Sequence, residues 1–194
     1  MAVFAATVYE RGFAHTLLPD VAQRAGVPPA RLATWWPSPI DCLLDTVAAA
    51  THQLLRRATA AFATAAGDGP LALHQALATM LHDMASAPEM TYISVVELPR
   101  LGPLVHARQS RMLDLFCELL GPGFAALDEP LPSPEIVSVC LAGGLWESIR
   151  RRAVQRRLHE LPDTLAAMSY VCVSTFFGTE EALRVSDRQS ELDR

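Results

Sequence analysis

The spacing of apolar residues is the feature that most constrains how this 194-residue sequence can fold. In successive blocks the apolar residues recur at three- and four-residue steps, which places them on one face of an α-helix. Clusters of glycine and proline, such as Gly67–Pro70 and Gly121–Gly123, separate the blocks and are typical of helix ends. The apolar positions that define the blocks are Leu44, Val47, Leu54 and Phe62; Leu73, Leu77, Met80, Leu81 and Met84; Val105, Met112, Phe116, Leu119 and Leu120; Ile136, Val139, Cys140 and Trp146; and Leu165, Met168, Cys172 and Phe176. The sequence therefore predicts an all-α protein.

The segment Thr91–Leu98, TYISVVEL, does not fit this pattern and is rich enough in β-branched residues to form a strand. It lies between Pro88 and Pro99, and no other part of the sequence offers a partner strand. An isolated strand cannot satisfy its backbone hydrogen bonds. We therefore predict a short helix for this segment.

The composition predicts a folded protein outside the membrane. Hydrophobic residues make up 51% of the chain and charged residues 19%, which excludes an intrinsically disordered protein. Charges and prolines interrupt every apolar run before the ~18 residues that a membrane-spanning helix needs. The first residues lack the basic region of a secretory signal. We expect a cytoplasmic protein with no membrane partner.

Sequence motifs of common enzymes and metal sites are missing. The chain contains no G-x-S-x-G, P-loop, G-x-G-x-x-G or H-E-x-x-H motif. Its cysteines, Cys42, Cys117, Cys140 and Cys172, are far apart in sequence and form no C-x-x-C pair. We interpret them as small buried hydrophobic residues in a reducing compartment. The sequence therefore predicts neither an enzyme nor a bound metal or cofactor.

Residues 22–39, AQRAGVPPARLATWWPSP, join two short helical patterns by a tight turn. Gly26 suits a position of positive φ after a helix end, and Pro28 and Pro29 suit the start of the next helix. The small apolar core between the two helices would consist of Val21, Val27, Leu32 and Trp36. This is the arrangement of a helix-turn-helix, in which the second helix enters the DNA major groove, although an ordinary helical corner would have the same pattern.

The segment Tyr9–Leu44 resembles the DNA-binding segment of the TetR family of transcriptional repressors. That family's pattern is an acidic-Arg-Gly-aromatic corner, an I-A-x-x-A-G-V run and a short helix ending in aromatic-Pro-Ser. The matching residues are Glu10, Arg11, Gly12 and Phe13; Val21 to Val27; Leu32; and Trp36, Pro37 and Ser38. The resemblance implies an N-terminal helix-turn-helix head of three helices over residues 1–47, whose first helix begins upstream. A helical bundle for ligand binding and dimerisation would follow over residues 48–194.

The chain departs from this family at the positions that contact DNA phosphates. The resemblance places a Thr or Ser, a Tyr and a Lys where this sequence has Leu17, Ala33 and Pro39. Residues 1–47 contain three arginines and four acidic residues, a net charge of −1, whereas a DNA-reading domain is usually basic. Two interpretations stay open: a dimeric repressor that binds operator DNA, or a repressor-like ligand-binding or protein-interaction module that has lost specific DNA binding.

Candidate base contacts remain on the predicted recognition helix, residues 29–36. Arg31 could reach a guanine edge, and Thr34 a thymine methyl group or a phosphate. Trp35 would either stack on a base or sugar or anchor the helix. Pro29 and Thr16, at the starts of the two helices, complete the predicted DNA-binding set.

The resemblance also implies an effector pocket and a homodimer. A small apolar or aromatic effector would bind between the middle helices, at a pocket formed by Phe62, Met80, Met84, Tyr92, Val96, Met112, Phe116 and Trp146. For each of these residues taken singly, an ordinary place in the core is the alternative. The last two predicted helices would form the dimer interface through Val139, Cys140, Gly143, Leu165, Met168, Cys172 and Phe176.

Overall fold

The structure, a computed structural model, describes residues 1–65, 67–105, 117, 120 and 133–192. These residues are helical apart from short turns, and none of them lies in a strand, which confirms the all-α prediction. The α-helices are α1 (Ala2–Arg11), α2 (Leu18–Arg24), α3 (Pro29–Trp35), α4 (Pro39–Thr64), α5 (Gly69–Ser86), α6 (Pro88–Tyr92), α7 (Leu98–Arg100), α8 (Pro134–Val154), α9 (Leu165–Phe177) and α10 (Thr179–Leu192). Among the described residues, no helix is both long and apolar enough to span a membrane.

The segment Thr91–Leu98 is helical, as predicted from its lack of a partner strand. The backbone runs from α6 through one π-helical stretch, Ile93–Glu97, directly into α7. Every residue from Thr91 to Leu98 is buried, because the segment packs against both α1 and α8. Its β-branched residues therefore reflect burial on all sides and not an extended backbone.

Two long antiparallel neighbours, α4 and α5, follow the predicted helical blocks. Helix α4 begins after Ser38, whose hydroxyl accepts a hydrogen bond from the Asp41 backbone N–H at 3.3 Å. Helix α5 begins after Asp68, whose carboxylate accepts from the Leu71 backbone N–H at 3.0 Å. Helix α4 continues without interruption across the predicted domain boundary after residue 47, so the two predicted domains share one helix.

The helices that follow the head form the body of the protein, and the core of the body surrounds α5. Its apolar residues Leu73, Leu77 and Leu81 are completely buried, and α5 packs against α4, α9 and α10. Sequence periodicity did not predict α10, which begins after Gly178, where φ is +86°. Helix α10 enters the core through Ala182 and Val185. Most of the helix predicted around Met112 and Phe116 lies outside the described residues.

Candidate functional sites

The turn between α2 and α3 has the geometry of a helix-turn-helix. Gly26 has φ +67°, and the backbone N–H of Val27 donates to the Ala22 carbonyl at 2.9 Å while that of Gly26 donates to Gln23 at 3.2 Å. This pair of hydrogen bonds is a Schellman motif, which ends a helix with a left-handed residue. The predicted role of Gly26 is therefore confirmed. Two of the predicted core residues of the head, Val21 and Leu32, are buried.

The corner between α1 and α2 uses Thr16 in a way that the sequence did not reveal. Gly12 has φ +80° and ψ 156°, a conformation open essentially to glycine alone. The Thr16 side chain is buried, and its hydroxyl donates to the Gly12 carbonyl at 2.9 Å. The prediction that Thr16 contacts DNA is therefore wrong, because its hydroxyl stabilises this corner from inside the protein.

Helix α3 exposes nearly all of its surface. Leu32 is buried, whereas Arg31, Thr34 and Trp35 are exposed, and Pro29 is exposed at the start of the helix. The Arg31 guanidinium lies 5.2 Å from the centre of the Trp35 ring, and the Thr34 hydroxyl donates to the Arg31 carbonyl at 2.6 Å. The structure thus places four of the predicted DNA-binding residues on an accessible helix.

Acidic side chains pair with two of the three arginines of the head. Both terminal nitrogens of Arg24 donate to Glu10 at 2.7 Å, and these hydrogen bonds hold the pKa of the Glu10 carboxyl below its ordinary value. Arg11 lies 3.9 Å from Asp20. Arg31 forms no ion pair with any residue in the described ranges. Within the described part of the chain, Arg31 is therefore the one arginine of the head that does not lie beside an acidic side chain.

The family's phosphate donors have no substitute at the matching positions. Leu17 is 58% exposed and immediately precedes α2, where no side chain caps the helix. Ala33 is exposed in the middle of α3, and Pro39 opens α4. Hydrogen bonds to phosphate from this surface must therefore come from other groups.

Glu97 and Arg156 contact the head from the body. The Phe13 backbone N–H points at the Glu97 carboxylate, 3.4 Å away, and Glu97 also accepts from Arg100 at 2.9 Å. From the end of α8, the Arg156 guanidinium lies 4.0 Å from the centre of the Tyr9 ring and also 4.0 Å from that of Tyr92. Neither Glu97 nor Arg156 was predicted from the sequence to contact the head. The signal that could have revealed Glu97 is its position as a lone acid in an otherwise apolar segment.

A cavity of about 400 Å³ lies where α1, α4, α5 and α6 meet. This volume is within the range of ~300–1,000 Å³ that is common for small-molecule sites. Thr46 lies in its wall, and its hydroxyl is buried. Arg57 and Asp83, also in the wall, form an ion pair at 2.9 Å. The full lining is Met1, Ala2, Thr46, Ala49, Ala50, Thr51, Gln53, Leu54, Arg57, Asp83, Met84, Ser86, Ala87, Met90, Thr91 and Ser94.

The residues predicted to line the effector pocket are mostly elsewhere. Met84 lines this cavity. The other described members of the set belong to the core, with Met80, Tyr92, Val96 and Trp146 buried in it and Phe62 packed against its edge. Met112 and Phe116 lie outside the described residues. A second cavity, of about 680 Å³ and more polar, shares Arg57 and Asp83 with the first and is also lined by His74, His82 and Asp163 among others.

Several residues predicted to form the dimer interface lie in the hydrophobic core of their own chain. Met168, Cys172 and Phe176 are buried inside their own chain, so the prediction that they face a second copy is wrong. Burial raises the pKa of the Cys172 thiol to about 12, as expected for an unreactive hydrophobic cysteine. Val139 and Cys140 are exposed, and Gly143 and Leu165 are partly exposed. The same helices expose four large apolar side chains that the prediction omitted, Ile136, Val154, Tyr170 and Val171.

Within the described ranges, no cluster of His, Cys, Asp and Glu side chains could hold a metal ion. No protein-family model matches the sequence, and no curated protein sequence matches it. The fold is similar to the solved structure of the fatty acid degradation regulator FadR from Bacillus halodurans, with a TM-score of 0.77 and 14% sequence identity. The superposition covers 88% of this chain and 94% of FadR. At this identity, the similarity shows a shared helical fold.

Proposed function

We propose that this protein is a transcription regulator of the TetR type, a repressor that binds operator DNA as a homodimer and is released by a small apolar effector. The observation that carries the proposal is the Schellman turn at Gly26, which presents the exposed face of α3. The shared fold with the regulator FadR supports it, because the similarity includes most of both chains. The cavity beside α1 supports the effector part, because it lies against a helix of the head.

DNA binding by this head would depend weakly on salt. Each phosphate neutralised by a cation contributes about −0.9 to the slope of log K against log salt concentration. Arg31 is the one head arginine without a nearby acid, so a dimer would present two such cations. We expect a slope no steeper than about −2, and a shallower one where Arg31 contacts a base instead of a phosphate, with sequence preference carried by Arg31, Thr34 and Trp35.

A mobility-shift titration with the DNA that flanks the gene tests this function. Arg31→Ala should weaken binding by ~1–3 kcal/mol and relax the sequence preference if the side chain reads a guanine. Arg56→Ala is the matched control, because Arg56 is an exposed arginine of α4 outside the head, and it should leave DNA binding unchanged. Equal losses in the two variants would contradict a reading role for α3.

The alternative is a repressor-like module that binds a small molecule or a protein but no operator. The paired Arg24 and Arg11 and the absence of donors at Leu17, Ala33 and Pro39 favour it. If the unaltered protein binds no flanking DNA, replacing those three residues by Thr, Tyr and Lys should create non-specific binding, with Pro39→Ala as the control for a changed start of α4. Binding by the unaltered protein at nanomolar affinity in physiological salt would exclude the alternative.

The exposed apolar residues of α8 and α9 support the homodimer. Val139 is 60% exposed and Val171 is 52% exposed, and side chains of this kind are commonly covered in oligomers. Val139→Arg should therefore yield monomers in light scattering. Val154→Arg is the control on the same helix, where the valine is 50% exposed near the C-terminal end, and it should leave the dimer intact. A monomeric unaltered protein would refute this part of the proposal.

A further inference from the structure

The cavity beside α1 follows one face of α4. Its lining residues on this helix recur at helical steps from Thr46 to Arg57, with Ala49, Ala50 and Leu54 between them. At 1.5 Å per residue, these eleven steps span roughly 16 Å. Residues of α5, α6 and the π-helical stretch form the opposite wall, and Met1 and Ala2 of α1 complete the lining. The space therefore suits a long, narrow molecule better than a compact one.

The walls of this groove are mainly apolar, although Thr51, Gln53 and several hydroxyl groups lie in them. Ser86, Thr91 and Ser94 each donate to a backbone carbonyl of a nearby helical residue, at 2.8 to 2.9 Å, so their hydrogens are already used. The other wall residues between the two ends include Ala49, Ala50, Leu54, Ala87 and the methionines Met84 and Met90. Methionine side chains adapt to the shape of an apolar ligand.

The charged end of the groove has unused hydrogen-bond donors. Arg57 contacts Asp83 through Nε, at 2.9 Å, and its terminal nitrogens have no hydrogen-bond partner among the described residues. A guanidinium carries five N–H donors in a planar fork that matches a carboxylate. The Arg57 side chain is 54% exposed whereas that of Asp83 is 16% exposed. The accessible group is therefore the cation, and a cationic ligand would first have to displace it.

We infer that this groove binds an elongated amphiphile with a carboxylate head. The carboxylate accepts hydrogen bonds from the terminal nitrogens of Arg57, and the apolar chain lies along Ala49, Ala50 and Met84 towards Thr46. The role of this groove as the effector site rests on the proposed function. Binding of the amphiphile to the groove does not require that the protein also binds DNA. The bound molecule would contact α1 of the head and also Ser94. Ser94 lies on the same π-helical stretch as Glu97, whose carboxylate accepts a hydrogen bond from the Phe13 backbone N–H of the head.

Calorimetric titration of the purified protein with decanoate, decan-1-ol and decyltrimethylammonium tests the inference, with the two ions kept below their critical micelle concentrations and the alcohol below its solubility limit. These probes have the same chain and differ in the charge of the head. Decanoate should bind at least tenfold more tightly than the other two. Arg57→Gln should remove this preference, whereas Arg56→Gln, which changes the exposed neighbour outside the lining, should retain it. Circular dichroism confirms that each variant is folded.

Two further variants separate the head group from the chain. Asp83→Asn removes the carboxylate that competes for Arg57, so decanoate should bind to this variant at least as tightly as to the unaltered protein. Ala50→Phe would fill the groove and should abolish binding of all three probes. If decyltrimethylammonium binds most tightly of the three probes and Asp83→Asn loses this binding, the groove is a cation site and the inference is wrong. Equal binding of the alcohol and decanoate, or no binding of any probe, would also overturn it.

The outcome is independent of the DNA experiment. A protein that binds flanking DNA but none of the probes would refute the groove as a site and leave the regulator proposal intact. A protein that binds decanoate but no DNA would keep the site and refute the regulator. If both are observed, decanoate should lower the affinity for DNA in the unaltered protein and should not do so in Ala50→Phe.

Discussion

Replacing Leu17 by threonine should stabilise the protein, because Leu17 occupies the N-cap position of α2 without a capping group. Its backbone is extended, with φ −100° and ψ 136°, as at most N-caps, and its carbonyl accepts the first helical hydrogen bond from Val21 at 3.1 Å. Pro19 has no N–H, so the Asp20 N–H is the donor that the new threonine hydroxyl would reach. Such a cap is worth ~1 kcal/mol, within a range of about 0.5–2 kcal/mol.

Thermal unfolding measures this gain. For a chain of this size, ~1 kcal/mol corresponds to a rise in Tm of about 2–4 °C. The control is Leu17→Ala, which removes the same 58% exposed side chain and adds no acceptor, so it should leave Tm close to that of the unaltered protein. The threonine variant should therefore melt above both of the others.

The same variant also bears on DNA binding. A hydroxyl at the start of α2 can donate to a phosphate but carries no charge, so DNA affinity should rise while the salt slope stays the same. If Leu17→Thr is no more stable than Leu17→Ala, the first turn of α2 does not lack a cap and the reasoning is refuted. A steeper salt slope would refute the second part.

Three further changes test the contacts of the head. Gly12→Ala should cost about 1–3 kcal/mol in the free energy of unfolding, because an alanine at φ +80° is strained although no atom crowds the position. Arg24→Gln should lower Tm at neutral pH, because hydrogen bonds from Arg24 lower the pKa of the Glu10 carboxyl below 4.5 in the folded protein. The stabilisation from this ion pair is therefore present above pH 4.5 and is lost as the pH falls through the folded pKa of Glu10. A Tm difference that persists at pH 2 would contradict this cause. Arg156→Ala should destabilise the protein by about 1–2 kcal/mol in chemical denaturation, through loss of two cation–π contacts, whereas the exposed Arg151→Ala should have little effect.

The sequence predicted the helices well where their apolar faces are long. The blocks that became α4 and α5 each repeat over several turns, and glycine or a capping residue marks their ends. Helix α10 was missed because Ala182 and Val185 give it too short an apolar pattern. Periodicity also finds an apolar face without identifying what covers it. This is why Met168 was assigned to a partner although its own chain buries it.

The functional residues were harder to predict, for reasons that differ between the two sites. The turn of the head depends on local backbone geometry, so Gly26 could be recognised from its neighbours in sequence. The groove exists where side chains are small, at residues such as Ala49 and Ala50, while a search for large apolar residues selects the packed core. Arg156 contacts Tyr9 across a separation of 147 residues, and no local pattern reports such a contact.

The uninterrupted course of α4 has a mechanical consequence. Its 26 residues form a rod roughly 39 Å long, one end of which, at Ser38, adjoins α3, while the other ends at Thr64 beside the start of α5. Pivoting such a rod by about 5° about its Thr64 end would carry Ser38 through about 3 Å, close to the ~3.4 Å of helix axis per phosphate of one DNA strand. If the protein binds an operator as proposed, a rearrangement too small to unpack the body would thus be enough to move the head out of register with the DNA.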